Sequence, residues 1–274
     1  MRHLIPKIAF LLFWLLPFAA VAQTSVMMSP TRAELNVKAG KQVTDALLLT
    51  NVGDTPSLVS ITTADWDMND EGSVLMRTGG KAPDSASHWV KVNPTTFTIA
   101  PGDHQQVRYT VSVPNGIEEK GYRTAIIIRM RAVDPAGKPP LPSGKGRSIE
   151  VNGQFNYYVY LKVGHPLPKG RLTGFKAVRG PDGIQTEFSV KNTGNVHFRT
   201  KGTIAIKDHS GHVVGTIQIP SYPVLPDMNR TLKLPWKEKT LPAGVYSVEL
   251  RLDIGRDALL GDDVELEIPN EMGG

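Results

Sequence analysis

Cysteine is absent from all 274 residues. That excludes disulfide staples, thiol catalysis and acylation of a leader cysteine. Stability must come from buried apolar cores, and about 250 residues are enough for two of ordinary size. Beyond the first 22 residues no apolar run approaches the ~20 needed for a helical membrane span. Capped segments of helical period are missing too. So are a nucleophile turn of the Gly-x-Ser-x-Gly type, a glycine-rich loop opening a helix, and zinc-finger spacings. Aromatics are only 7% of the chain, and none alternates with a basic stripe, so the signature of a nucleic-acid surface is missing. An enzyme is not expected, nor is any cofactor or metal.

A leader is present. Arg2, His3 and Lys7 precede the apolar run Ile8–Ala20, and Ala20-Val21-Ala22 supplies the small residues a signal peptidase requires. Residues 1–22 are expected to be a cleaved signal peptide and the mature chain to begin at Gln23, exported to the periplasm of a bacterium. The leader holds two of the 31 Lys+Arg and none of the 26 acids. The formal charge of +5 thus becomes +3 in the mature chain, too mild and scattered to name a partner.

The mature sequence reads as short alternating segments punctuated by Gly, Pro, Asn and Asp. Thr44–Thr50, Leu58–Ala64, Phe97–Ile99, Gln106–Val113 and Thr124–Met130 have strand length and β-branched content. A second series comprises Thr186–Val190, Thr203–Lys207, Val213–Ile219, Thr231–Leu234 and Tyr246–Leu252. The expected fold class is all-β, with two tandem immunoglobulin-like β-sandwich domains. Asp134–Gly146, rich in Pro, Gly and Lys, reads as a loop inside the first domain, because Phe155–Val163 is needed to complete that sandwich. Apolar alternation breaks at Gly164-His165-Pro166, which puts the expected domains at 23–164 and 165–274.

A weak repeat supports two similar units. Asn51-Val52-Gly53 matches Asn192-Thr193-Gly194, and Ala100-Pro101-Gly102-Asp103 matches Leu225-Pro226-Asp227-Met228. Gly121-Tyr122 matches Val245-Tyr246. The pairs are roughly 125–140 residues apart, a distance suited to two sandwiches of immunoglobulin size. Tyr246 is expected to bond through its hydroxyl to nearby backbone, as in the tyrosine corner of such folds.

Other features read as structural. His209 and His212 fit a hairpin tip, and His88, His104 and His197 stand isolated among polar neighbours. Asp65, Asp67, Asn69, Asp70 and Glu71 around Trp66 lack the glycine and distal glutamate of a calcium loop and read as a solvated hairpin loop. Tyr157, Tyr158 and Tyr160 read as two faces of one strand.

Several segments of the first domain together carry a family resemblance. They are Ser29-Pro30-Thr31-Arg32-Ala33, Leu47–Gly53, Trp66, Trp89–Pro94, Ile99–Gly102 leading into Gln106–Tyr109, and Tyr122–Arg129. In these the chain resembles the periplasmic pilus-assembly chaperones. The resemblance implies a protein client, a pilin-like or other surface subunit whose sheet lacks a strand, and a chaperone strand that fills the gap. It further implies an outer-membrane usher as a possible second partner. The client's terminal carboxylate would be held by Arg32 on an early strand and Lys162 on a late one. Ile149 and Val151 would pair with the client strand. Residues 166–268 resemble immunoglobulin-like modules of bacterial surface proteins, which leaves an envelope scaffold that holds a folded surface protein as the alternative.

Overall fold

The computed structural model describes residues 26–133, 152–180, 183–237, 241–255 and 259–269. The expected leader, the segment 134–146, Ile149 and Val151 lie outside the described residues. The first sandwich opens with β1 (Val26–Ser29), β2 (Arg32–Val37), β3 (Gln42–Asn51) and β4 (Ser57–Met68). It continues through β5 (Val74–Arg77), β6 (Val90–Asn93), β7 (Thr96–Ile99), β8 (His104–Ser112), β9 (Gly121–Ala132) and β10 (Asn152–Val163). The second sandwich holds β11 (Gly170–Gly180), β12 (Gly183–Asn192), β13 (Phe198–Arg199), β14 (Lys201–Lys207) and β15 (Val213–Ile219). It closes with β16 (Pro223–Val224), β17 (Asn229–Trp236), β18 (Gly244–Asp253) and β19 (Leu260–Ile268). The two β-sandwiches expected from the strand pattern are the architecture of the chain. No helix among the described residues is long and apolar enough to cross a membrane.

The sheets of the first sandwich run β1-β3-β8-β6 and β2-β10-β9-β4-β5, with β7 paired to the start of β4. Those of the second run β11-β12-β17 and β15-β14-β18-β19, with the short pair β13-β16 beside them. Alternation sets which faces are inward. In β12 the side chains of Ile184, Thr186, Phe188, Val190 and Asn192 are buried, and those between them are half-buried. In β3 and β8, Leu47 lies opposite Val107 and both face the first core.

β9 departs from alternation for a physical reason. Tyr122, Ile126, Ile128 and Met130 enter the first core. On the opposite face Ala125 and Ile127 join Trp66 and Tyr160 in an apolar cluster that continues into the core of the second sandwich. A strand covered on both faces reads as an unbroken apolar run, here Ala125-Ile126-Ile127-Ile128. The same junction is stitched by backbone. Gly121 N–H donates to Asn195 O at 2.8 Å, and Asn195 Nδ2 donates to Glu119 O at 3.1 Å. A Cβ on Gly121 would stand 3.0 Å from Val196 Cα, which explains the glycine.

The internal repeat is exact in its hydrogen bonding. Asn51 Nδ2 donates to Thr55 O (2.8 Å) and Ile99 O (3.0 Å), while its Oδ1 accepts from Gly53 N–H (3.0 Å). Asn192 Nδ2 donates to Val196 O and Val224 O, both at 2.9 Å, and its Oδ1 accepts from Gly194 N–H at 2.9 Å. Each fully buried amide thus ties a strand end to the turn that follows it and to one distant segment. Gly102 (φ 74°) and Asp227 (φ 64°) occupy matching left-handed positions in the turns that close these corners. The tyrosines match as well: Tyr122 donates to Glu118 O at 3.1 Å and Tyr246 to Pro242 O at 2.9 Å, each four residues back.

Candidate functional site

β2 enters the sheet parallel to β10, with Arg32 opposite Tyr158, Glu34 opposite Tyr160 and Asn36 opposite Lys162. Ala33 and Val37 are buried in the first core, so Arg32, Glu34 and Asn36 point the other way, toward the second sandwich. Arg32 and Lys162 therefore share one face. They are not side by side: Lys162 stands four positions beyond Arg32, roughly 13 Å along the strand direction. Glu34 lies between them.

β10 is only half covered. Asn152–Lys162 pair antiparallel with β9 along almost the whole strand, whereas β2 covers only Tyr158–Val163. Among the described residues no strand pairs with Asn152–Tyr157 on the side away from β9. Gln154 is exposed there, and Phe155 is half-buried against the first core. Among the described residues this is an open edge of six residues.

The second sandwich brings its own side chains to the β2 face. A cleft of about 230 Å³ is lined by Glu34 and Lys162 from the first sandwich and by His197, Arg199, Lys201 and Asp253 from the second. Lys162 also borders a neighbouring hollow of about 380 Å³ beside Asn36 and His165. Glu34 Oε1 lies 3.5 Å from Arg32 Nε and 3.6 Å from Arg199 Nη1, and its Oε2 lies 3.8 Å from His197 Nε2. The His197 ring, with Arg199 and Arg32 beside it, overrides burial and holds the Glu34 carboxyl down to about 2. Burial pushes His197 below the ordinary imidazole range against the pull of Glu34, so its ring is neutral near pH 7.

Sequence reasoning placed His197 among polar neighbours. It is instead 4% exposed, with its ring 4.5 Å from that of Tyr160. Arg199 had no signal at all. Both sit more than 160 residues from Glu34, so no local spacing could reveal the cluster. The acidic group around Trp66 also needs correction. Asn69–Ser73 is a hairpin turn between β4 and β5, but Asp65 and Trp66 are buried within β4. Trp66 lies against the rings of Tyr158 (4.8 Å) and Tyr160 (5.3 Å). Asp65 accepts from Lys81 N–H (2.9 Å), Ala82 N–H (3.0 Å) and the hydroxyls of Ser85 and Ser87, fixing the loop before β6. Tyr157 faces the first core while Tyr158 and Tyr160 face outward, as two faces of one strand.

A larger hollow of about 630 Å³ opens elsewhere along the junction. Its principal cation, Arg123, is already paired with Asp84 and, at 3.1 Å, with Asp67. Among the described residues no cluster of three or more His, Asp or Glu is placed to hold a metal ion.

No protein-family model matches the chain. No curated protein matches it either. Among solved structures it is similar to the YadV chaperone, with 12% identity over 88% of this chain and 99% of that one and a TM-score of 0.46. It is similar to the class 5 fimbriae chaperone CfaA (13% identity, 89% and 100% covered, TM-score 0.44). A third likeness is to the chaperone–tip subunit pre-assembly complex of Csu pili from Acinetobacter baumannii (18%, 88% and 98%, 0.41). A PapD-like domain of a human protein also matches, over 58% of this chain with a TM-score of 0.35. At these scores the fold rests on the strand pairing described above, and the function on the site.

Proposed function

We propose that this protein is a periplasmic chaperone that captures unassembled subunits of pili or related surface fibres by β-strand addition. The half-covered strand β10 carries the reading. Asn152–Tyr157 have no strand partner beside β2 among the described residues, so an extended client segment can continue the sheet where β2 stops. The client's strand gains a ladder of hydrogen bonds along that edge, and the family resemblance makes Ile149 and Val151 the donor residues for its open core. The client's terminal carboxylate is directed to the cationic face that bears Arg32 and Lys162. The family resemblance of residues 24–133 supports the same assignment, as does the leader for export. An usher is the expected acceptor of the loaded client. No catalytic role is assigned.

A photo-crosslinking residue placed at Gln154 tests this in periplasmic extracts. The expected crosslinked peptide is the C-terminal strand of a secreted, unassembled fibre subunit, and Arg32→Ala should abolish its co-purification. Crosslinks confined to a folded partner in a persistent surface complex would refute strand capture and favour the envelope scaffold.

A further inference from the structure

β9 sends three arginines to its outer face, in two different settings. Arg123 lies at the junction and is paired with Asp84 and Asp67. Ala125 and Ile127 follow on the same face and are buried in the apolar cluster there. Beyond them Arg129 is exposed and Arg131 half-buried. Neither forms a salt bridge among the described residues, and Arg129 Nη1 only reaches Thr62 Oγ1, at 3.4 Å.

Register explains the missing partners. The cross-strand row through Arg131 reads Asn152, Arg131, Leu58 and Thr98, and the row through Arg129 reads Gln154, Arg129, Ser60 and Thr96. Neither row holds a carboxylate, so the two guanidiniums, two residues apart on one face, repel without being neutralised. A hollow of about 400 Å³ opens over them, lined also by Leu58, Ser60, Asn152 and Gln154. Arg32 shares its row with Tyr158 and Ala125, so Arg129 and Arg131 stand four and six positions from it, roughly 13 and 20 Å along the strand. The hollow is thus remote from the cleft between the sandwiches, but it adjoins the open edge. Asn152 and Gln154 form part of its wall and also belong to the half of β10 that has no strand partner beside β2 among the described residues. A client strand laid there stands two strand spacings from β9, about 10 Å. Its alternate side chains share the outer face with Asn152 and Gln154, and an arginine and a glutamate side chain together span that gap.

We propose that Arg129 and Arg131 select which strands are captured, by binding acidic side chains carried at alternate positions of the client strand. The inference rests on the strand-capture reading and specifies its client. Backbone pairing along the edge is indifferent to sequence, so discrimination comes from the side chains beside it. A strand with Asp or Glu two residues apart on one side neutralises both guanidiniums. A strand with Lys at those positions adds to their repulsion and is rejected.

The probes are two amidated decapeptides of alternating valine and threonine, one with Glu and one with Gln at two successive threonine positions, on the full chain. The native chain should bind the Glu peptide about fivefold tighter than the Gln peptide, the worth of two cross-strand charge pairs. Salt at about 0.5 M should remove the difference. Arg129→Gln with Arg131→Gln should bind the two peptides alike, and Arg129→Glu with Arg131→Glu should prefer a third peptide with Lys at those positions. If the native chain binds the Glu and Gln peptides equally, or the double glutamate variant shows no preference for Lys, the inference falls while strand capture stands. If vesicles of phosphatidylglycerol bind the native chain but not the double glutamine variant, and the peptides bind alike, the face serves a lipid surface and the inference is overturned. If no peptide binds the native chain, strand capture itself is refuted and the inference falls with it.

Discussion

The two corner asparagines form a controlled experiment within one chain. Replacing Asn51 or Asn192 by alanine removes the same three hydrogen bonds, two to carbonyls and one from an N–H. At about 1 kcal/mol net per bond, each substitution should cost about 3 kcal/mol. For a unit of about 110–140 residues that lowers the unfolding temperature of the affected sandwich by about 10–13 °C. The surroundings differ in one respect. Asn192 holds the loop whose Asn195 and Val196 dock on Gly121 and Glu119, whereas the hydrogen bonds of Asn51 among the described residues stay within the first sandwich. Asn192→Ala should therefore uncouple the sandwiches as well as destabilise the second. Scanning calorimetry of the mature chain reads both effects. Asn51→Ala should lower the transition of the first sandwich, and Asn192→Ala should lower that of the second and draw the two transitions apart. A loss below about 1 kcal/mol at either site, or separation of the transitions by Asn51→Ala alone, would refute the reasoning.

Acid should expose the Asp65 anchor. Burial alone would raise its pKa, but hydrogen bonds from Ser85, Ser87 and Ala82 N–H lower it from 3.8 to about 2. A depressed carboxylate stabilises the fold above its unfolded pKa and loses that contribution as pH falls toward its folded one, here about 2 kcal/mol between pH 4 and pH 2. Asp65→Asn should lower the urea midpoint at pH 7 and flatten its dependence on acid; an equally steep acid decline in that variant would count against the assignment. Asp227→Gly should raise stability by about 0.5–1 kcal/mol, because it relieves a left-handed residue where the first sandwich already uses Gly102. A lower melting temperature would show that the Asp227 side chain contributes more than its backbone costs.

Much of the fold was legible because it is local. Thr44–Thr50 lies inside β3, Val213–Ile219 coincides with β15, and the repeated Asn-x-Gly and Gly/Val-Tyr pairs mark corners where the asparagine oxygen accepts from the glycine two residues on and the tyrosine donates four residues back. The site is not local. Arg32 stood out by its sequence context, but Glu34, His197 and Arg199 meet only because the outer face of β2 and β10 lies against the second sandwich. Charge counting could not find them either, since Glu34 offsets the cations it adjoins. Trp66 and Asp65 misled for a related reason. Their polar neighbours suggested a solvated loop, while rings from β10 and the hydroxyls of Ser85 and Ser87 cover them from elsewhere.

The parallel pairing of β2 with β10 also fixes an order of events in folding. Asn36 and Lys162, which are register partners, are 126 residues apart, so this contact closes nearly the whole first sandwich into one loop. Contacts of that span form late, since the chain must lose much of its freedom before they return any energy. A chain made from its N-terminus therefore carries β2 unpaired until its tenth strand is available. For that interval β9 also waits with a vacant edge. The nascent protein is thus briefly an incomplete sheet in need of a strand, the same condition it is proposed to relieve in its clients.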